Sequence, residues 1–134
     1  MKYLTLFEGF YNDFIDNSKN KYKNIIDETK DILLELSDND IRYQINKYID
    51  DMIFEFQIDI THIETKEQKS ITEDVIFRLN EFLEESNLSI QKIEFYQNID
   101  GESHKHDLYD LQEIDNLQDS DGLLTIVLVF GEHS

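Results

Sequence analysis

The hydrophobic pattern of the chain changes period several times, and each change marks an element. Over residues 21–37, Tyr22, Ile25, Ile26, Thr29, Ile32, Leu33 and Leu36 fall on one face at three-to-four spacing. Lys23, Asp27, Lys30 and Asp31 fall mostly off it. This predicts an amphipathic helix, ended by the turn formers Ser37-Asp38-Asn39-Asp40. The period then drops to two. Ile41, Tyr43 and Ile45 alternate with Arg42, Gln44 and Asn46. Phe54, Phe56, Ile58 and Ile60 alternate with Glu55, Gln57, Asp59 and Thr61. Two hairpin strands with one wet face are expected, with Asp50-Asp51 near the reversal.

Residues 61–70 are polar and predict a loop. Ser70-Ile71-Thr72-Glu73 has the capping-box form, in which a hydroxyl accepts from an amide three residues on and the Glu side chain reaches back. The second helix carries Val75, Ile76, Leu79, Phe82 and Leu83 on its buried face and stops near Asn87. Residues 89–97 predict a third strand with Ile90, Ile93 and Phe95; its parity breaks once, marking a bulge. Residues 99–122 predict a long acidic loop holding Gly101 and Gly122. Leu108, Leu111, Ile114 and Leu117 recur within it every three residues, the mark of a short helix. Leu123 to Phe130 is apolar on both faces, as a central, covered strand requires. At the N-terminus, Leu4, Phe7, Tyr11 and Phe14 take helical spacing, an aromatic stripe suited to docking on the body of the domain.

The expected fold is α+β, a two-layer sandwich: an N-terminal helix, then αββαββ with a four-stranded antiparallel sheet and two helices on one face. The order resembles a ferredoxin-like fold with its first strand moved to the end. Residues 1–16 form an N-terminal helix or leader, and 17–134 a single α+β domain.

Composition narrows the function classes. There is no Cys, which excludes disulfides and thiolate metal sites. No apolar run approaches the roughly 20 residues that span a bilayer. Glu8 and Asp13 interrupt any secretory apolar stretch, so no membrane partner is expected. Thirty acids face twelve Lys and Arg, a formal charge of −18, in a chain that is 40% hydrophobic and so should fold. Such a surface repels nucleic acid and attracts basic protein surfaces. Two Arg and ten Lys form no basic strip, so no direct nucleic-acid binding is expected. Glycines at 9, 101, 122 and 131 make no phosphate loop, and no nucleophile elbow appears. The chain reads as non-enzymatic, with no cofactor.

The charge is uneven. Residues 71–87 hold five acids against one Arg, and 100–122 hold eight against one Lys. The candidate partner-binding surface is therefore Glu73, Asp74, Glu81, Glu84 and Glu85 with Asp100, Glu102, Asp107, Asp110, Glu113, Asp115, Asp119 and Asp121. Duplex DNA carries about one charge per 1.7 Å of axis. Carboxylates three or four apart on a helix lie about 5–6 Å apart, close to a phosphate spacing. The surface can therefore mimic nucleic acid toward a DNA-binding protein; the alternative is a solvated face that aids solubility. His104 and His106 flank Lys105, with Asp107 and Asp110 following. Alternate His in an extended segment project to one side and, with a carboxylate, suit zinc; the alternative is a polar loop containing two His. Asp119-Ser120-Asp121-Gly122 lacks the spacing and closing Glu of a calcium loop.

Met1-Lys2-Tyr3-Leu4-Thr5-Leu6-Phe7-Glu8-Gly9-Phe10 resembles the leader of small accessory proteins of large tailed phages. It is also similar to the capsid-targeting leader of internal head proteins in T-even-type phages. The resemblance implies cutting after an aliphatic-x-Glu sequence, here Leu6-Phe7-Glu8 before Gly9. Aliphatic-x-Glu recurs at Ile26-Asp27-Glu28 and Leu79-Asn80-Glu81, inside predicted helices and with no Gly following. It further implies a location in the virion head or host cytoplasm, and some proteins of that class inhibit host restriction. The expectation is a phage accessory protein whose acidic face engages a basic host or phage protein. The alternatives are a structural virion protein with no inhibitory role and a metal-dependent enzyme using the His104 loop.

Overall fold

The computed structural model describes residues 22–49, 54–108, 110–117 and 119–132. The N-terminal aromatic stripe, the leader residues Leu6, Glu8 and Gly9, and Asp50-Asp51 lie outside the described residues.

Among the described residues helix α1 covers 22–38, where the periodicity predicts it. Ile25, Ile26, Leu33 and Leu36 enter the core, and Thr29 enters with them because its hydroxyl donates to the Ile25 carbonyl at 2.7 Å. The helix closes in a Schellman turn. Asp40 N–H donates to Ser37 O at 3.3 Å and Ile41 N–H to Leu36 O at 2.9 Å. Asp40 takes the left-handed conformation this requires, φ 63°. Ile41 and Leu36, which flank the turn, are both buried.

Strand β1 (Arg42–Ile49) pairs antiparallel with β2 (Phe54–Ile63). On β2, Phe54, Phe56, Ile58 and Ile60 are buried while Glu55, Gln57, Asp59 and Thr61 are half-buried, as period two demands. The register shifts between Ile60 and Ile63, with His62 at φ 66°, which returns Ile63 to the core.

Residues 61–70 are not a loop. β2 continues to Ile63 and helix α2 spans Lys66–Glu85. The capping box is Thr65 with Gln68 rather than Ser70 with Glu73: Gln68 N–H donates to Thr65 Oγ1, and Thr65 N–H donates to the Gln68 side chain. The start is hidden in the sequence because Lys69 and Thr72 open the buried stripe that Val75, Ile76, Leu79 and Leu83 continue. Lys69 is buried with its ammonium donating to the Ser120 carbonyl, and Thr72 donates to Gln68 O at 2.8 Å. Asn87, at φ 64°, stops the helix as expected, its N–H reaching Glu84 O at 3.0 Å.

Strand β3 (Leu88–Ile99) carries the expected bulge, a register shift between Ile90 and Lys92. The long loop is only partly a loop. Asp100 and Gly101, at φ 52° and 83°, make a tight reversal into a further strand, β4 (Glu102–Leu108). Asp-Gly is a strong hairpin signal, but β4 has a single apolar residue, Leu108, and so no alternating pattern. The short helix is a 3-10 helix, Leu111–Leu117, which buries Ile114 and Leu117.

The last strand, β5 (Leu123–Glu132), lies between β2 and β3, the central place its apolar run predicts, but it is covered on one face only: Leu124, Ile126, Leu128 and Phe130 are buried, whereas Thr125, Val127 and Val129 are half-buried. The sheet runs β1-β2-β5-β3-β4, all pairs antiparallel. Over the described residues the fold is α+β as expected, but five-stranded. The four-stranded permuted ferredoxin-like arrangement is therefore corrected in both strand count and order by the β4 edge strand. Both helices pack on the face that carries Phe54, Phe56, Ile58, Leu128 and Phe130.

Candidate functional site

The two helices lie side by side and antiparallel. Gln68 Nε2 donates to Asn39 O at 3.0 Å near one end, and Arg78 binds Glu35 near the middle. At the other end Asn24, Ile25 and Glu28 share a groove with Phe82 and Glu85. Their outer surface is acidic. Asp74, Glu81, Glu84 and Glu85 of α2 are exposed, and Glu73 is half-buried. Helix α1 adds exposed Asp27, Glu28, Asp31 and Asp38, with Glu35 half-buried. Reasoning from charge runs missed these α1 acids, because Lys23 and Lys30 dilute that stretch. Their position off the apolar face was the signal available.

The acids of 100–122 divide. Asp100 and Glu102 sit at the β3–β4 reversal, and Asp119 and Asp121 stand near the same end of the sheet. There Gln97 Nε2 donates to Asp121 O at 2.8 Å, and Lys69 of α2 holds the Ser120 carbonyl. Asp110, Glu113 and Asp115 stand at the 3-10 helix, which packs against α2. Asp107 departs from the group. By register it pairs with Glu94, on the sheet face away from the helices, and Lys105 Nζ lies 3.8 Å from it. The expected acids thus fall in separate places: on α2, at the 3-10 helix beside it, and at the sheet end around the β3–β4 reversal, with Asp107 on the opposite face; α1 adds acids that the charge runs did not mark.

Several cations of the C-terminal half have partners within the chain. Lys69 is buried on Ser120 O. Arg78 is held by Glu35 and, at 3.0 Å, by Asp74. The Glu35 hydrogen bond pushes its pKa further up, with Asp74 in support. Lys92 and Lys105 lie on the opposite face, around Glu94.

That opposite face is mixed in charge. Glu94 is buried there at 4% exposure. Tyr96 donates to its Oε2 at 2.8 Å. Its Oε1 lies 2.5 Å from Lys92 Nζ and 3.4 Å from Lys105 Nζ; it has no well-directed hydrogen bond, so these are contacts of charge. The Lys92 ammonium holds the Glu94 carboxyl below the ordinary carboxylate range against the effect of burial, helped by Tyr96 and Lys105. A depressed folded pKa gives stability that is complete above the unfolded value and lost as pH falls through the folded one. Glu94→Gln should therefore be less stable than the parent by a constant margin at neutral pH, and the margin should shrink as pH falls through the ordinary carboxylate range to the lowered pKa of Glu94. Urea unfolding at a series of pH values checks this; a margin unchanged into acid contradicts it.

His104 and His106 do share one side of β4, on the parity of Phe95. His104 Nε2 lies 4.0 Å from Glu102, while His106 stacks on Phe95 with ring centroids 4.5 Å apart. Among the described residues no three His, Asp or Glu side chains gather as a metal-binding group. Also among them, no helix is long and apolar enough to cross a membrane. Comparison with protein-family models, curated proteins and solved structures found no match.

Proposed function

We propose that this is a non-enzymatic phage accessory protein that engages a basic, DNA-binding protein of host or phage through its acidic helix layer. The phage assignment rests on the leader's resemblance, and the protein would act in the virion head or host cytoplasm. One observation carries the binding reading. Exposed carboxylates outnumber the exposed Lys23, Lys30 and Lys66 on the two helices, while Arg78 is paired with Glu35 and Asp74, Lys69 is buried on Ser120 O, and Lys92 and Lys105 stand on the far face. Helical spacing sets neighbouring carboxylates such as Glu81 and Glu85 about 5–6 Å apart, near the spacing of phosphates. A protein that grips DNA by its backbone meets comparable charge here.

The test is capture of DNA-binding proteins from host lysate by the full chain at rising salt. The reading predicts a retained DNA-binding protein whose affinity falls at least about tenfold between roughly 0.05 and 0.2 M salt. It also predicts that duplex DNA competes for that protein. Retention indifferent to both salt and DNA would contradict it.

A further inference from the structure

A groove of about 350 Å³ opens between Asn24, Ile25 and Glu28 of α1 and the last turn of α2. Its floor is apolar: Ile25 is 6% exposed and Phe82 half-buried. Glu28 lines it from one helix and Glu85 from the other, and among the described residues no Lys or Arg lines it. The last turn of α2 has no basic residue, so its chain does not offset the negative end of the helix dipole there. The nearest cation along α2, Arg78, is held by Glu35 and Asp74.

We infer that this groove docks a cationic amphipathic segment of a partner protein. An apolar side chain sits on Ile25 and Phe82, with Lys or Arg beside Glu28 and Glu85. The inference rests on the acidic-surface reading above and narrows it to one place. Carboxylates around the groove steer a basic partner, while the apolar floor supplies the buried anchor that concentrates binding energy. Charge complementarity selects this occupant. A second copy of the chain, itself at −18, would bring carboxylates to carboxylates. A phosphate backbone would be repelled by both rims and has no apolar group for the floor.

The test uses a labelled leucine/lysine amphipathic peptide and a serine/lysine peptide of equal length and charge, read by fluorescence polarisation at about 0.15 M ionic strength. The full chain should bind the first more tightly than the second. Glu28→Gln/Glu85→Gln should weaken the leucine peptide about tenfold, about 1.4 kcal/mol. Asp31→Asn/Asp38→Asn, the same change of charge elsewhere on α1, should change it less than about twofold. Phe82→Ala should also weaken it about tenfold, and Phe82→Leu should restore it. Equal losses for the two acid pairs would overturn the groove but leave the acidic surface standing. Indifference to both pairs would remove both. Binding that appears only when residues 1–16 are deleted would assign the groove to the chain's own N-terminal segment and overturn the proposal.

Discussion

Phe56→Ala is expected to destabilise the fold by about 3–5 kcal/mol, the largest effect of any change considered for this chain. Phe56 is fully buried near the start of β2. Its ring lies 5.6 Å from Phe54 and 5.5 Å from Phe130 of the neighbouring central strand, and Phe54 in turn stacks on Tyr22 of α1 at 4.1 Å. The series joins sheet to helix. Tyr22 fixes its outer end by donating to Glu132 Oε1 at 2.5 Å, a bond that pushes the Tyr22 pKa up to about 12. Removing the central ring leaves a cavity between two β-strands whose ladders hold them in register, so the walls relax only partly. Native stability is typically about 5–15 kcal/mol, so the loss is a large share of it. Urea unfolding measures it. A loss under about 1 kcal/mol would mean the aromatic series is not central to the core.

Gly122→Ala is expected to cost about 2–4 kcal/mol. The residue has φ 84°, and an added Cβ would stand 2.3 Å from the Asn98 carbonyl oxygen. That obstacle is backbone, and Asn98 is held in register opposite Leu123, so it cannot withdraw cheaply. Gly101 provides the control. Its φ of 83° is nearly the same, but a Cβ there meets nothing within 4 Å. Gly101→Ala should cost only the backbone penalty, about 1 kcal/mol. Equal losses at the two positions would show that contact with Asn98 does not matter.

The legible parts of this fold were those in which burial followed side-chain chemistry. Phe54 to Ile60 alternated cleanly because one face meets the helices and the other carries Glu55, Gln57 and Asp59. Leu123 to Phe130 pointed to the central place of β5 between β2 and β3, although its burial alternates, with Val127 and Val129 half-buried on the open face. Reading failed where chemistry and burial parted. Lys69 is buried yet counted as polar, so α2 seemed to start late. β4 is an exposed edge with little apolar content, so its pattern predicts a loop. Glu94, buried on the open face, gave no sign at all; its neighbours Lys92 and Lys105 account for it only once the strands are paired. For the acidic surface, charge runs found α2 and the 3-10 helix but misassigned Asp107. Its face depends on the β3–β4 register.

The central claim is that the anionic surface is one-sided, and two variants of equal formal charge test it. One is Asp27→Asn/Glu81→Gln/Glu84→Gln on the helix layer; the other is Glu55→Gln/Asp59→Asn/Asp107→Asn on the open sheet face. Retention on an anion-exchange column follows the most negative face rather than the total. The helix-layer variant should elute at distinctly lower salt than the sheet-face variant. Elution of both at the same salt, or in the reverse order, would contradict the account.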